Sequence, residues 1–247
     1  MFSGKTINFA AVRHRLIVIT GPTAVGKTEL SIELAEALGA PILNADSRQL
    51  YAGMAIGTAA PTRQQMERVK HYFVGTLTTP DAYYSAARYE SEVCAMMEQL
   101  PCAVMTGGAM MYIDAVCRGL DDIPTISDEV RERVWGIYRS EGLEALTEML
   151  RRMDPEHCEV CDMHNPRRVM HAVEVCMQSG RTYTSLRTAG TKERPFDIVK
   201  IGITRPREEL YDRINRRVDQ MMADGLLDEV RRLLPWRHCN ALNPVGY

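Results

Sequence analysis

The chain has 247 residues, 45% of them hydrophobic and 25% charged. That is enough for one large α/β domain or a core with a modest second lobe, and it excludes a disordered or fibrous protein. A net charge of −2 argues against a surface wrapped globally in nucleic acid, while leaving room for a local basic groove. Seven scattered cysteines, with no secretory signal and no membrane-length apolar run, point to a reduced cytoplasmic protein without a membrane partner.

Taken in chain order, the first dozen residues match no element and read as a flexible extension. The run Arg15–Thr20 (RLIVIT) ends in Gly-Pro and predicts a strand buried on both faces. A helix is expected over Lys27–Leu38, with Leu30, Leu34 and Leu38 as its apolar stripe and Gly39 as its stop. Pro41–Ala45 reads as a short strand that delivers Asp46 at its carboxyl end. Ala87–Leu100 is helical in pattern, and Cys102–Thr106 is a third buried strand running into Gly107-Gly108, with a helix soon after. Strand–helix alternation of this kind predicts a parallel sheet covered by helices.

From Pro124 to about Arg194 the strand pattern disappears. Ser127 caps a helix that begins with Asp128 and Glu129 and carries Val130, Val134 and Ile137. Leu143, Leu146 and Leu150 mark another helix. Asn165-Pro166 opens a third, with Val169, Val173 and Cys176 on its stripe and Gly180 at its end. Ile198–Ile203 returns to strand character. Pro206 then opens a long helix striped by Leu210, Ile214 and Val218, with Gly225 near its end. The predicted organisation is an α/β core over residues 15–123, an all-helical insertion over 124–195, and a second core segment over 196–247.

The segment Gly21-Pro22-Thr23-Ala24-Val25-Gly26-Lys27-Thr28 fits G-x-x-x-x-G-K-[ST] and lies between a buried strand and a helix. Glycines let the backbone curl its N–H groups onto phosphate oxygens, and the helix N-terminus adds positive potential. Lys27 supplies a point charge, and the Thr28 hydroxyl can ligate Mg²⁺. The loop therefore implies a P-loop NTPase-like fold that binds a pyrophosphate or a nucleotide such as ATP. Phosphoryl-transfer enzymes usually carry a second apolar strand ending in Asp. Cys102–Thr106 ends in Gly-Gly instead, and Asp46 closes the other early strand. Asp46 therefore either faces the ligand crevice or serves as a turn cap.

Several blocks occur together and in order. They are Gly21–Thr28, Asn44-Ala45-Asp46-Ser47-Arg48-Gln49, Ile56-Gly57-Thr58-Ala59 with Pro61, Tyr84-Ser85, and Gly107-Gly108 before Met111-Tyr112. Asn165-Pro166-Arg167-Arg168 follows, then Arg217-Val218-Asp219 with Gly225 and Glu229-Val230. Over about Leu16–Tyr247 the chain thereby resembles the bacterial tRNA dimethylallyltransferases, also called tRNA isopentenyltransferases. The resemblance implies transfer of a dimethylallyl group from dimethylallyl diphosphate to the exocyclic amine of the adenosine just 3′ of the anticodon, with Mg²⁺ as cofactor and the anticodon stem-loop as partner of a monomer. It implies Asp46 as the base, and Lys27 and Arg217 as neutralisers of the departing diphosphate. It also implies tRNA contacts from Asp46, Ser47, Arg48, Gln49, Ala109, Arg131, Arg167, Arg168 and His171. On residue pattern alone, Arg217 is equally a solvated helix face beside Arg213 and Arg216, and the insertion's arginines are equally ordinary surface charge.

Three departures from the family stand out. Ala109 replaces the usual Thr after Gly-Gly, which is expected to lower activity. His171 stands where the family has a basic residue. The family continues past the Gly-Tyr at Val245-Gly246-Tyr247, so the chain reads as truncated there. His157, Cys158, Cys161 and His164 lack the distant second pair of a zinc site and read as helical core. Met110 and Met111 read as plain core or as the lining of a prenyl pocket. A P-loop metabolite kinase, an adenylate isopentenyltransferase and a non-catalytic tRNA-binding remnant are the competing readings. ATP consumption would mark the first. The helical insertion argues against the second, because free AMP needs no second lobe.

Overall fold

The computed structural model describes residues 13–188 and 190–242. The expected N-terminal extension and the terminal Gly-Tyr lie outside the described residues. A five-stranded, wholly parallel sheet has the order β3-β2-β4-β1-β5. Its strands are β1 (His14–Thr20), β2 (Ile42–Asn44), β3 (His71–Tyr72), β4 (Cys102–Thr106) and β5 (Phe196–Gly202). The intervening helices are α1 (Lys27–Leu38), α2 (Arg63–Arg68), α3 (Ala86–Met97) and α4 (Met110–Arg118).

Interior strand β1, between β4 and β5, is buried from Leu16 to Ile19. The packed face of α1 differs from the expected stripe. Ser31, Ile32 and Ala35 are buried, Leu30 and Leu34 only flank the core, and Leu38 is 46% exposed. Close approach to Ile19, Ile42 and Val104 favours a small residue and a β-branched one there, and the leucines are turned toward the rim.

Chain contacts divide the protein into two compact units, one being Gly119–Lys192 and the other the segments that flank it. The first is helical: α5 (Asp128–Met153), α6 (Pro155–Val160), α7 (Pro166–Ser179) and α8 (Tyr183–Leu186). Gly142, at φ 80°, breaks α5 into two helical stretches, which is where the sequence pattern separated them. Val134, Leu146, Leu150, Val169, Val173 and Cys176 form this unit's core. His157 is buried with its ring edge-on to Tyr183 at 4.8 Å. Buried Asp154 accepts from His157 N, Thr184 N and Thr184 Oγ1 at 3.0, 2.7 and 3.0 Å, so it ties α6 to α8.

After β5 the chain forms α9 (Arg207–Ala223) and α10 (Leu226–Leu233), with Gly225 between them. The expected stripe of α9 is not a core face. None of its residues is buried, and Val218 is 48% exposed. Leu210 and Ile214 are half-buried, and α9 meets the P-loop through Arg213.

Candidate active site

Four parallel strands end at one edge of the sheet. This edge is where an open α/β sheet builds its ligand crevice. β1 leads into the P-loop, β2 into Asp46, β4 into Gly107-Gly108 and β5 toward Arg205. The resulting cleft holds about 520 Å³. Thr23–Thr28, Asp46 and Gln49 line it, with Gly107 and Gly108 opposite and Arg217 at its side.

The P-loop conformation explains its residues. Gly26 sits at φ 107°, a left-handed conformation that favours glycine, and provides no side-chain cap for α1. The first-turn N–H groups of α1 therefore remain for a ligand. A Cβ on Gly21 would lie 2.5 Å from the Ile203 carbonyl. Lys27 Nζ donates to the carbonyls of Gly21 and Pro22 at 2.8 and 2.9 Å. Two arginines hold the loop from the other side: Arg213 Nε donates to Ala24 O at 2.6 Å and Arg205 Nε to Val25 O at 2.8 Å. Tying these carbonyls outward leaves the loop's amides for phosphate.

Asp46 takes both of the roles open to it. Its Oδ1 accepts from Arg48 N at 2.9 Å and Gln49 N at 3.3 Å, a turn cap. Its carboxylate nevertheless lines the cleft, and a Cβ built on Gly108 would stand 3.2 Å from Oδ2. Gly107 is more constrained, since a Cβ there would fall 2.1 Å from the Ala45 carbonyl carbon. The Gly-Gly pair therefore lets the end of β4 close on the end of β2. Ala109 N donates to Ala45 O at 2.9 Å, and Ala109 O accepts from Tyr112 and Ile113. Ala109 thus occupies the N-cap of α4 without a capping side chain.

Arg213, Arg216 and Arg217 all line the cleft; Arg213 and Arg217 are half-buried there, while Arg216 is exposed and paired with Asp212 at the rim. Burial lowers the Lys27 pKa, and the positive charge of Arg217 lowers it further while Asp46 opposes. Burial also lowers Arg217, again opposed by Asp46. A cationic cradle of this kind is relieved by an anionic ligand.

The loop Ile56–Ala59 closes another wall. Glu229 of α10 is only 2% exposed, and its carboxylate accepts from Ile56 N at 2.9 Å and Gly57 N at 2.8 Å. The carbonyls of the braced loop are then used: Thr58 O accepts from Gln49 Nε2 at 2.9 Å and from Arg217 Nη2 at 3.5 Å. Sequence reasoning placed Glu229 only in a motif and missed Arg205, Arg213 and His71 as parts of the site. No local pattern marks them, because each reaches the site from an element distant in sequence.

The remaining expected residues divide. Ser47 and Arg48 lie in the turn after Asp46 but outside the cleft lining, as does Ala109. Pro22 is exposed on the loop. Arg131, Arg167, Arg168 and His171 lie exposed on the helical unit. His171 is about half exposed; the partial burial of its ring, and then the charges of Arg131 and His157, lower its pKa. Met110 and Met111 are 53% and 70% exposed, so they are not core. Among the described residues, no cluster of three or more His, Cys, Asp or Glu is placed to hold a metal ion, and no helix is long and apolar enough to cross a membrane.

Fold and cleft together define a P-loop protein of the parallel α/β class. A family profile described as IPP transferase matches residues 49–247. A tRNA dimethylallyltransferase 1 of Phocaeicola vulgatus is 58% identical over 94% of this chain and 78% of its own length. A tRNA dimethylallyltransferase of Christiangramia forsetii is 39% identical over 94% and 78%. The full-length tRNA isopentenylpyrophosphate transferase structure from Bacillus halodurans matches with a TM-score of 0.63 and 33% identity, over 95% of this chain and 75% of that one. A eukaryotic dimethylallyltransferase acting on tRNA shares the fold, with a TM-score of 0.77 at 24% identity. The chain belongs to the IPP transferase family.

Proposed function

We propose that this protein transfers a dimethylallyl group from dimethylallyl diphosphate to the exocyclic amine of the adenosine 3′ of the tRNA anticodon, in the cytoplasm and as a monomer. The observation that carries the reading is a single cleft in which a carboxylate, Asp46, faces a P-loop cradle with Lys27 and Arg217. Family membership and the names of the relatives support the substrates.

The diphosphate sits on the P-loop amides. The adenine nitrogen attacks the allylic C1, the C1–O bond breaks, and its electron pair leaves on the diphosphate. Lys27, Arg213, Arg216 and Arg217 offset that charge as it develops. The adenine amine is a weak nucleophile, because its lone pair is delocalised into the ring. Asp46 therefore accepts its proton, through Oδ2, since Oδ1 already holds two backbone N–H groups. The base has to leave the anticodon stack to reach the cleft. The exposed Thr28 lines the same cleft at the start of α1, and its hydroxyl is an oxygen donor that suits Mg²⁺ beside a bound diphosphate. When bound, that ion would neutralise diphosphate charge.

The test is incubation with unmodified tRNA and dimethylallyl diphosphate, followed by nucleoside mass analysis. A mass gain of one dimethylallyl group on adenosine is expected. Unmodified tRNA together with ATP consumption on a small hydroxyl compound would overturn the reading in favour of a kinase.

A further inference from the structure

The helical unit carries a second groove, of about 490 Å³. Trp135 and Tyr138 of α5 form one wall, and His164, Asn165, Arg167 and Met170 the other. On α5 the core position is Val134, so its neighbour Trp135 points away from the packed face and stays 45% exposed. Tyr138 packs against the core and holds its ring edge-on to the indole at 5.8 Å and 80°. The Arg139 guanidinium stands 5.7 Å from the indole centroid. Arg131 lies one turn before Trp135 on the same helix face. The acidic residue of the groove, Asp162, is engaged in a turn by accepting from His164 N at 3.1 Å.

Trp135 presents nearly half of its surface at the mouth of the groove, and a flat aromatic face is a stacking surface for another π system. The surroundings decide what it receives. Two guanidinium groups, Arg139 over the indole and Arg167 across the groove, bring positive charge to the aromatic wall. An apolar peptide would gain nothing from that charge. A nucleotide uses both features, its base on the indole and its phosphate against the arginines. We infer that this groove is a stacking subsite for one unpaired nucleobase of the RNA substrate, with Trp135 as the platform. The inference rests on the tRNA reading and adds to it a base contact apart from the reacting adenosine.

The chain has two tryptophans, Trp135 and Trp236, so a Trp236→Phe background isolates the indole in question. The full chain is titrated with a synthetic anticodon stem-loop RNA. Quenching of Trp135 emission is expected, and Trp135→Ala should weaken binding by about 5- to 150-fold, the range for one stacked base. Trp135→Phe should restore most of the affinity. Stacking releases no counterion, so Trp135→Ala should leave the salt dependence of binding unchanged, unlike removal of an arginine. If the parent binds and prenylates RNA while the Trp135 signal and the Trp135→Ala affinity stay unchanged, the subsite is overturned and the function stands. If the parent neither binds nor prenylates RNA, both fall.

Discussion

Asp46 gives one oxygen to the backbone and the other to the cleft, and this division makes its chemistry testable. Asp46→Asn keeps an Oδ1 for Arg48 N and Gln49 N, so the turn survives and only the base is lost. Single-turnover transfer should slow by about 10²–10⁴ with both substrates still bound; an unchanged rate would reduce Asp46 to a turn cap. Lys27→Ala should abolish turnover with the fold intact, as seen by circular dichroism alongside the transfer assay. Because the Lys27 pKa is lowered from 10.5, its charge is lost at lower pH than that of a free lysine. Diphosphate affinity, measured by calorimetry, should therefore decline on the alkaline side earlier than an unperturbed lysine would allow. Ala109 sits at the uncapped N-terminus of α4. Ala109→Thr should stabilise the protein by about 1 kcal/mol through a new cap, measured by chemical denaturation, and should raise turnover by restoring the family's hydroxyl.

At the scale of elements, α10 acts through one buried carboxylate. Glu229 binds two adjacent N–H groups of the Ile56–Ala59 loop, and that loop presents Thr58 O to Gln49 and Arg217. Glu229→Gln offers one acceptor oxygen where two are used and turns an amide N–H toward a backbone donor. A loss of about 1–3 kcal/mol is expected in denaturant unfolding, together with a raised KM for dimethylallyl diphosphate as Arg217 loses its support. Equal stability and kinetics would show that the loop holds itself. Such a brace was not legible in sequence, because an acidic residue on a short charged helix reads as a solvated face. The P-loop was legible because its geometry is written in consecutive residues, and Asp46 because it ends a recognisable apolar strand. Short elements escaped for the same physical reason: β3 has two residues and α2 buries none, so neither leaves a periodic signature. On α1 and α9, periodicity named Leu38 and Val218, which packing left exposed. Hydrophobic spacing reports a helix but does not report which side its neighbours approach.

For the whole molecule, a net charge of −2 means that RNA affinity has to come from local clusters. Arg167 and Arg168 are exposed at the start of α7, and Arg131 near the start of α5, within the helical unit. Partial burial and the charge of Arg131 lower the pKa of His171, so the electrostatic contribution is assigned to the arginines, which stay charged. An arginine that neutralises one phosphate releases about one counterion on binding, so Arg168→Ala should flatten the log–log salt dependence of tRNA binding by about one unit. Arg167→Ala should do the same and also disturb the groove beside Trp135. Affinity for dimethylallyl diphosphate should hold, because its proposed site is the P-loop of the other unit. The measurement is tRNA binding at several salt concentrations for the parent and both variants, with diphosphate binding as the control. Unchanged slopes in both variants would remove the helical unit from the RNA grip. A slope that flattens while diphosphate affinity also falls would mean that the substitution has damaged the protein as a whole.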